Sequence, residues 1–187
     1  NEMSGTIPCA LDQIANLQGL HLFDNLLTGT VPECICNYSS LSLMDIGSNQ
    51  LSGTLPASIG NMLLIRSLYL YDNALTGSFP VSFSKLSQLV NLEAYDNLLT
   101  GNIPESYGNI TLLNVLAVYN NRLTGTLPET LGRLALLKYF YLNSNYISGV
   151  LPSSLSNLTN LALVDVHENN LSGDVPAFLG NNSQLQF

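Results

Sequence analysis

Two histidines, nine tyrosines, thirteen acids and three cysteines are the side chains through which this 187-residue chain could do chemistry. Their spacing is regular. Tyr71, Tyr95 and Tyr119 stand 24 residues apart, Asp72 and Asp96 repeat the same step, and Glu93 lies three residues before Asp96. Tyrosine offers a flat apolar ring with a polar tip, and carboxylates offer charge-assisted hydrogen-bond acceptors, so together they suit the capture of a basic or aromatic group. Catalysis is not expected: the sequence has no Gly-rich phosphate loop, and no nucleophile sits beside an identifiable base. Asp165, His167 and Glu168 could grip a metal weakly, but a structural site wants about four ligands and no fourth is evident. Neither a metal nor a cofactor is expected.

The 24-residue step belongs to the whole chain. Asn1, Asn25, Asn49, Asn73, Asn97, Asn121, Asn145 and Asn169 mark it without insertion or deletion. From each asparagine runs a template close to N-x-L-[S/T]-G-x-[I/V/L/F]-P, then a looser middle, then L-x-x-L-x-L-x-x. An unbroken short period means a solenoid whose units touch only their neighbours. One elongated body over residues 1–187 is therefore expected, with seven full repeats and a partial eighth. Neither end carries a recognisable cap, which points to a piece of a longer protein.

Alternation in segments such as Leu68-Tyr69-Leu70-Tyr71-Asp72 predicts a short strand with leucines inward. Stacked turns would pair these strands into a parallel sheet. At about 4.8 Å per strand, His21 and His167 lie six turns and about 29 Å apart, too far to share one active site. The bend after each strand leaves backbone groups inside, and the asparagine amide, which donates and accepts, can satisfy them across turns. All eight prolines fall three residues after a template glycine, where they would end a second short strand and preset φ for a helical segment.

Hydrophobic residues make up 46% of the chain and charged ones 10%, arranged in fixed columns, so disorder is excluded. No run approaches the roughly 18–20 apolar residues of a membrane span, so a membrane could be reached only through a segment outside this chain. The net charge of -8 has the wrong sign for nucleic acid or an anionic leaflet.

The block Asn97-Leu98-Leu99-Thr100-Gly101-Asn102-Ile103-Pro104-Glu105-Ser106-Tyr107-Gly108-Asn109, followed by Leu113, Leu116 and Val118, closely resembles the plant-type extracellular leucine-rich repeat. That family includes ectodomains of receptor-like kinases and receptor-like proteins, and polygalacturonase-inhibiting proteins. The resemblance implies an α/β repeat solenoid, curved, with a concave parallel β-sheet, a second short sheet, and 3₁₀ or short α turns on the convex side. It also implies recognition in place of catalysis. Some receptors of the family hold a peptide's terminal carboxylate with two arginines, and no arginine occupies the corresponding columns here.

Partner choice must come from the outward columns of the concave strands. Six of nine tyrosines and seven of thirteen acids fall there, and none of the five bases does. The candidate binding residues are Tyr69, Tyr71, Asp72, Glu93, Tyr95, Asp96, Tyr119, Tyr139 and Tyr141. A lysine or arginine could pair with Asp72 and Asp96 and stack on Tyr71 or Tyr95. The expected partner is a peptide or protein with basic or aromatic groups.

Cys9 and Cys34 occupy adjacent columns of adjacent turns and could form a disulfide; Cys36 leaves the count odd. N-glycosylation sequons at Asn37, Asn109, Asn157, Asn170 and Asn181 favour an extracellular protein with N-linked glycans, secreted or on a cell surface. Four of these asparagines share the column twelve residues past the ladder asparagine, away from the concave strands. The leading expectation is a recognition module of a receptor ectodomain. A free-standing inhibitor of a secreted wall-degrading enzyme, polygalacturonase-inhibitor-like, and a cell-wall or matrix adhesion protein are the alternatives.

Overall fold

A computed structural model describes residues 1–9, 14 and 16–177. Seven strands, Gly19–His21, Leu43–Asp45, Ser67–Tyr69, Asn91–Glu93, Val115–Ala117, Tyr139–Tyr141 and Leu163–Asp165, pair in chain order as one parallel sheet lining the concave side of a curved solenoid. Register follows the period, so that Leu68 pairs with Leu92, Leu92 with Leu116 and Leu116 with Phe140. Any outward residue therefore has its counterpart in the next turn directly beside it. Inward residues of every rung form a continuous core, from Leu20 through Met44, Leu68, Leu92, Leu116 and Phe140 to Val164. Burying each such side chain contributes about 1.5–3 kcal/mol before chain entropy is charged against it.

A second parallel sheet takes Ser4–Thr6, Leu26–Gly29, Gln50–Thr54, Ala74–Ser78, Leu98–Gly101 and Arg122–Leu123, and a bridge between Thr126 and Ser148 leads to the pair Ser148–Gly149 and Asn170–Leu171. Its register runs at 22 residues, as in Ser52 with Ala74, where the concave sheet runs at 24. The asparagine ladder spans the two. Asn97 Oδ1 accepts from Leu75 N at 3.0 Å, 22 residues back, while its amide donates to Leu70 O at 3.0 Å and to Ala94 and Tyr95 carbonyls of its own turn at 3.3 and 3.1 Å. Asn121 repeats this set with Leu99, Ala94, Val118 and Tyr119. One side chain thus satisfies four backbone groups that the bend takes out of water.

On the convex side, each of the segments Glu33–Asn37, Ala57–Asn61, Val81–Lys85, Glu105–Asn109, Glu129–Arg133 and Ser153–Asn157 is 3₁₀. The proline sits one place outside, as the N-cap in extended conformation (Pro80 φ -62°, ψ 128°), and its carbonyl accepts from the third residue on, as Pro80 O does from Phe83 N at 3.1 Å. Tyr107 is not among the exposed tyrosines: its ring stacks on Phe83 with centroids 5.9 Å apart, and its hydroxyl donates to Pro80 O at 3.3 Å.

Candidate functional site on the concave face

The strand ends earlier than the alternating pattern predicts. Residues after the third strand position still bond to the next turn, Leu70 N to Glu93 O at 2.7 Å and Asp72 N to Tyr95 O at 2.9 Å, but the residue before each ladder asparagine turns left-handed. Asp24, Ser48, Asp72, Asp96, Asn120, Ser144 and Glu168 all have φ between 47° and 55°. Short polar side chains tolerate that conformation best, so Asp72 and Asp96 are accounted for locally by the turn. Asp96 is also engaged, accepting from Asn120 Nδ2 at 2.7 Å, and Ser144 donates to Glu168 in the same way one pair further on. The expected acidic pair is therefore a turn element at the margin of the sheet.

The tyrosine column forms a closed stack. Tyr71 and Tyr95 lie with centroids 4.9 Å apart and planes 8° from parallel, and Tyr95 and Tyr119 with 4.4 Å and 5°. Below Tyr71 the column holds Gly47, and a Cβ built there would lie 2.4 Å from Tyr71 Cζ. Gly47 is the seat on which the last ring rests. Both faces of Tyr95 are covered, so the ligand stacking expected there is not available. Beyond Tyr119 the pattern changes, because Tyr141 meets it edge-on at 6.4 Å and 71° while lying parallel to Tyr139 at 6.4 Å. Tyr69 projects from the outward column between Asp45 and Glu93. Although no base occupies an outward column, Lys138 Nζ reaches to 5.1 Å from the Tyr139 ring centroid, placing one cation at the rim.

Two acids on this face are unusual. Asp45 is only 8% exposed, and burial pushes its carboxyl up, against a hydrogen bond from Gly47 N and the charge of His21. Glu93 is likewise raised, first by burial and then by the charge of Asp45. The phenols of Tyr71, Tyr95 and Tyr119 are raised by burial and by one another or these acids. Such surroundings favour a cation that would restore to the carboxylates what water no longer supplies.

At the fifth rung the face opens into a hollow of about 470 Å³. Val115 and Ala117 form its floor, Tyr95, Tyr119, Tyr141 and Asn143 its walls, and Glu93 and Asp165 supply carboxylates from either side along the coil. Residue-type reasoning missed it because its cause is a small residue: Ala117 stands in a column that otherwise reads His21, Asp45, Tyr69, Glu93, Tyr141 and Asp165.

At the last concave strand, His167 Nδ1 contacts Asp165 while Glu168 is turned to Ser144, and among the described residues no group of three or more potential ligands is placed to hold a metal. Cys9 and Cys34 are joined by a disulfide with Cα atoms 5.5 Å apart, tying the first two turns on the convex side; Cys36 is a buried free thiol. Asn37, Asn109 and Asn157 are exposed at the ends of their 3₁₀ segments, and Asn170 is exposed in the second sheet. Asn181 lies outside the described residues. No described helix is long and apolar enough to cross a membrane.

The family model for the Leucine Rich Repeat matches residues 16–38, 40–62, 64–86, 112–134 and 136–158. No curated protein sequence matches the chain. Among solved structures, the leucine-rich repeat ectodomain of the membrane receptor kinase GASSHO1/SCHENGEN3 from Arabidopsis thaliana, in complex with CASPARIAN STRIP INTEGRITY FACTOR 2, superposes with a TM-score of 0.97 at 37% identity, covering 99% of this chain and 22% of that one. The plant peptide hormone receptor RGFR1 in complex with RGF2 gives 0.96 at 34% identity, over 99% of this chain and 30% of that one. The Arabidopsis receptor kinase HAESA, in complex with the peptide hormone IDA and the co-receptor SERK1, gives 0.92 at 36% identity, over 98% and 31%. The chain thus spans less than a third of the length of each of these structures.

Proposed function

The chain belongs to the leucine-rich repeat family, and from that premise we propose that it is an extracellular peptide- or protein-recognition module, part of a plant-type receptor ectodomain, that binds through its tyrosine-rich, acidic concave face. The observation that carries the reading is the stack of Tyr71, Tyr95 and Tyr119 beside the partly desolvated Glu93. Rings already ordered against one another lose little freedom when a partner covers their edges, and buried acids reward a basic group with charge-assisted hydrogen bonds. Two solved relatives of the same architecture are described with peptide hormones, RGFR1 as a plant peptide hormone receptor and HAESA in complex with the peptide hormone IDA, which supports this class of ligand over a nucleic acid or a small metabolite. Exposed sequons at Asn37, Asn109 and Asn157 and the Cys9–Cys34 bridge support secretion, with glycans on the convex edge leaving the concave sheet open.

The test is selection of a synthetic decapeptide library on the purified chain, with and without the double change Tyr95→Ala and Tyr119→Ala. Enrichment of Lys, Arg or aromatic residues, lost at least tenfold in the double variant, is the expected outcome. Equal retention of an all-acidic library, or enrichment that survives loss of both rings, overturns the reading.

A further inference from the structure

We propose that the hollow at the fifth rung is a subsite for one long cationic side chain, a lysine or arginine, of a peptide lying across the concave sheet. The identity of the host peptide rests on the recognition reading above; the chemistry of the subsite does not. Its floor, Val115 and the 3%-exposed Ala117, is apolar and suits a methylene stem. Its volume of about 470 Å³ lies within the ordinary range of roughly 300–1,000 Å³ for ligand pockets.

The polar groups say what sits at the tip of that stem. Glu93 enters from the fourth rung and Asp165 from the seventh, three strand spacings apart or about 14 Å between backbones, so a cation in the hollow has a carboxylate along the coil in either direction. No lysine or arginine lines the hollow; among the described residues the one base in contact with its lining is His167, whose Nδ1 meets Asp165, while Lys138 lies over Tyr139. Glu93 is thus the carboxylate left for an incoming cation and Asp165 the shared one. An anionic group would face two like charges. An uncharged aromatic ring would strip water from two carboxylates and return no hydrogen bond. A cation returns both charge and donors, most of all to Glu93, which already suffers from burial and from Asp45.

The tyrosines complete the geometry. Tyr95 is sandwiched between Tyr71 and Tyr119 and has no face to give, whereas Tyr119 is stacked on the Tyr95 side and meets Tyr141 only edge-on where the hollow opens. Cation–π contact is therefore moved one rung along from the position that residue type alone suggests, to Tyr119.

The experiment uses small probes that need no peptide. n-Butylammonium and n-butylguanidinium are titrated into the isotopically labelled chain, with n-butanol and butyrate as controls, and NMR shifts are followed at the Ala117 methyl and Tyr119 ring. Both cations should shift these signals saturably and the controls should not; a stronger response to one cation separates lysine from arginine. Ala117→Leu, which fills the hollow, should abolish the effect. The pair Glu93→Gln and Asp165→Asn, which keeps the shape, should weaken it about tenfold, as loss of charge-assisted hydrogen bonds does. Shifts that persist in Ala117→Leu, or that butanol reproduces, overturn the subsite. If the cations bind here while the peptide library fails to enrich, the recognition reading falls and the subsite stands.

Discussion

Two columns of this coil run side by side, two residues apart, and obey different rules. One holds Asn in all eight turns; the other reads Phe23, Gly47, Tyr71, Tyr95, Tyr119, Asn143, His167. Both are built by the same backbone repeat, and both line up neighbour on neighbour at strand spacing. The asparagine is compelled, because each turn buries the same set of backbone donors and acceptors and only that amide reaches them all. The tyrosine is a choice, since its column faces outward and a glycine or a histidine serves the fold equally well. Strict repetition therefore marks what the backbone demands, and broken repetition marks where a partner can be read.

That contrast makes predictions of decreasing size. Asn121→Ala leaves Leu99 N and the carbonyls of Ala94, Val118 and Tyr119 without their side-chain partner. With unsatisfied buried groups costing roughly 1–3 kcal/mol each, a loss of about 3 kcal/mol is expected in denaturant unfolding. A loss no greater than that from Tyr119→Ala would erase the distinction between the columns. Gly47→Val drives a side chain into the Tyr71 ring and should break one stacked pair, at a cost of about 2 kcal/mol in stability, while shifting the Tyr71 and Tyr95 ring resonances and leaving Tyr119 in place. Unmoved Tyr71 signals would show that the stack does not rest on Gly47. Asp72→Asn should change stability by under about 0.5 kcal/mol, because asparagine accepts the left-handed turn as readily, whereas Asp72→Val should cost about 1–2 kcal/mol through its β-branch. If both substitutions weigh the same, the turn does not explain this column.

The architecture was readable because a solenoid converts sequence spacing directly into position. Once Asn97 and Asn121 were aligned, the neighbours of Leu92, Tyr95 and Glu93 followed. What could not be read were properties that position leaves open. The period places Tyr71, Tyr95 and Tyr119 in a row without saying whether the rings lie flat, with faces to solvent, or stand against each other; they stand, and so give up their faces. It places Asp72 and Asp96 in a row without showing the positive φ that explains their type. Lys138 precedes its strand and enters no outward column, yet its stem is long enough to bring the amine over Tyr139. Ala117 was silent for another reason: a search for reactive side chains passes over a missing one, and the hollow is defined by what is missing.

The one-strand-per-turn register also sets a measuring scale. Rungs recur about every 4.8 Å, while same-facing side chains of an extended peptide laid along the coil recur about every 6.6–6.8 Å. Three of the longer steps, about 20 Å, nearly match four of the shorter, about 19 Å, and the seven concave strands cover only about 29 Å. The two rulings would act as a vernier for a strand laid along the coil: it would come into step with the rungs at only one or two points, so a single anchoring residue would fix the alignment of everything on either side of it.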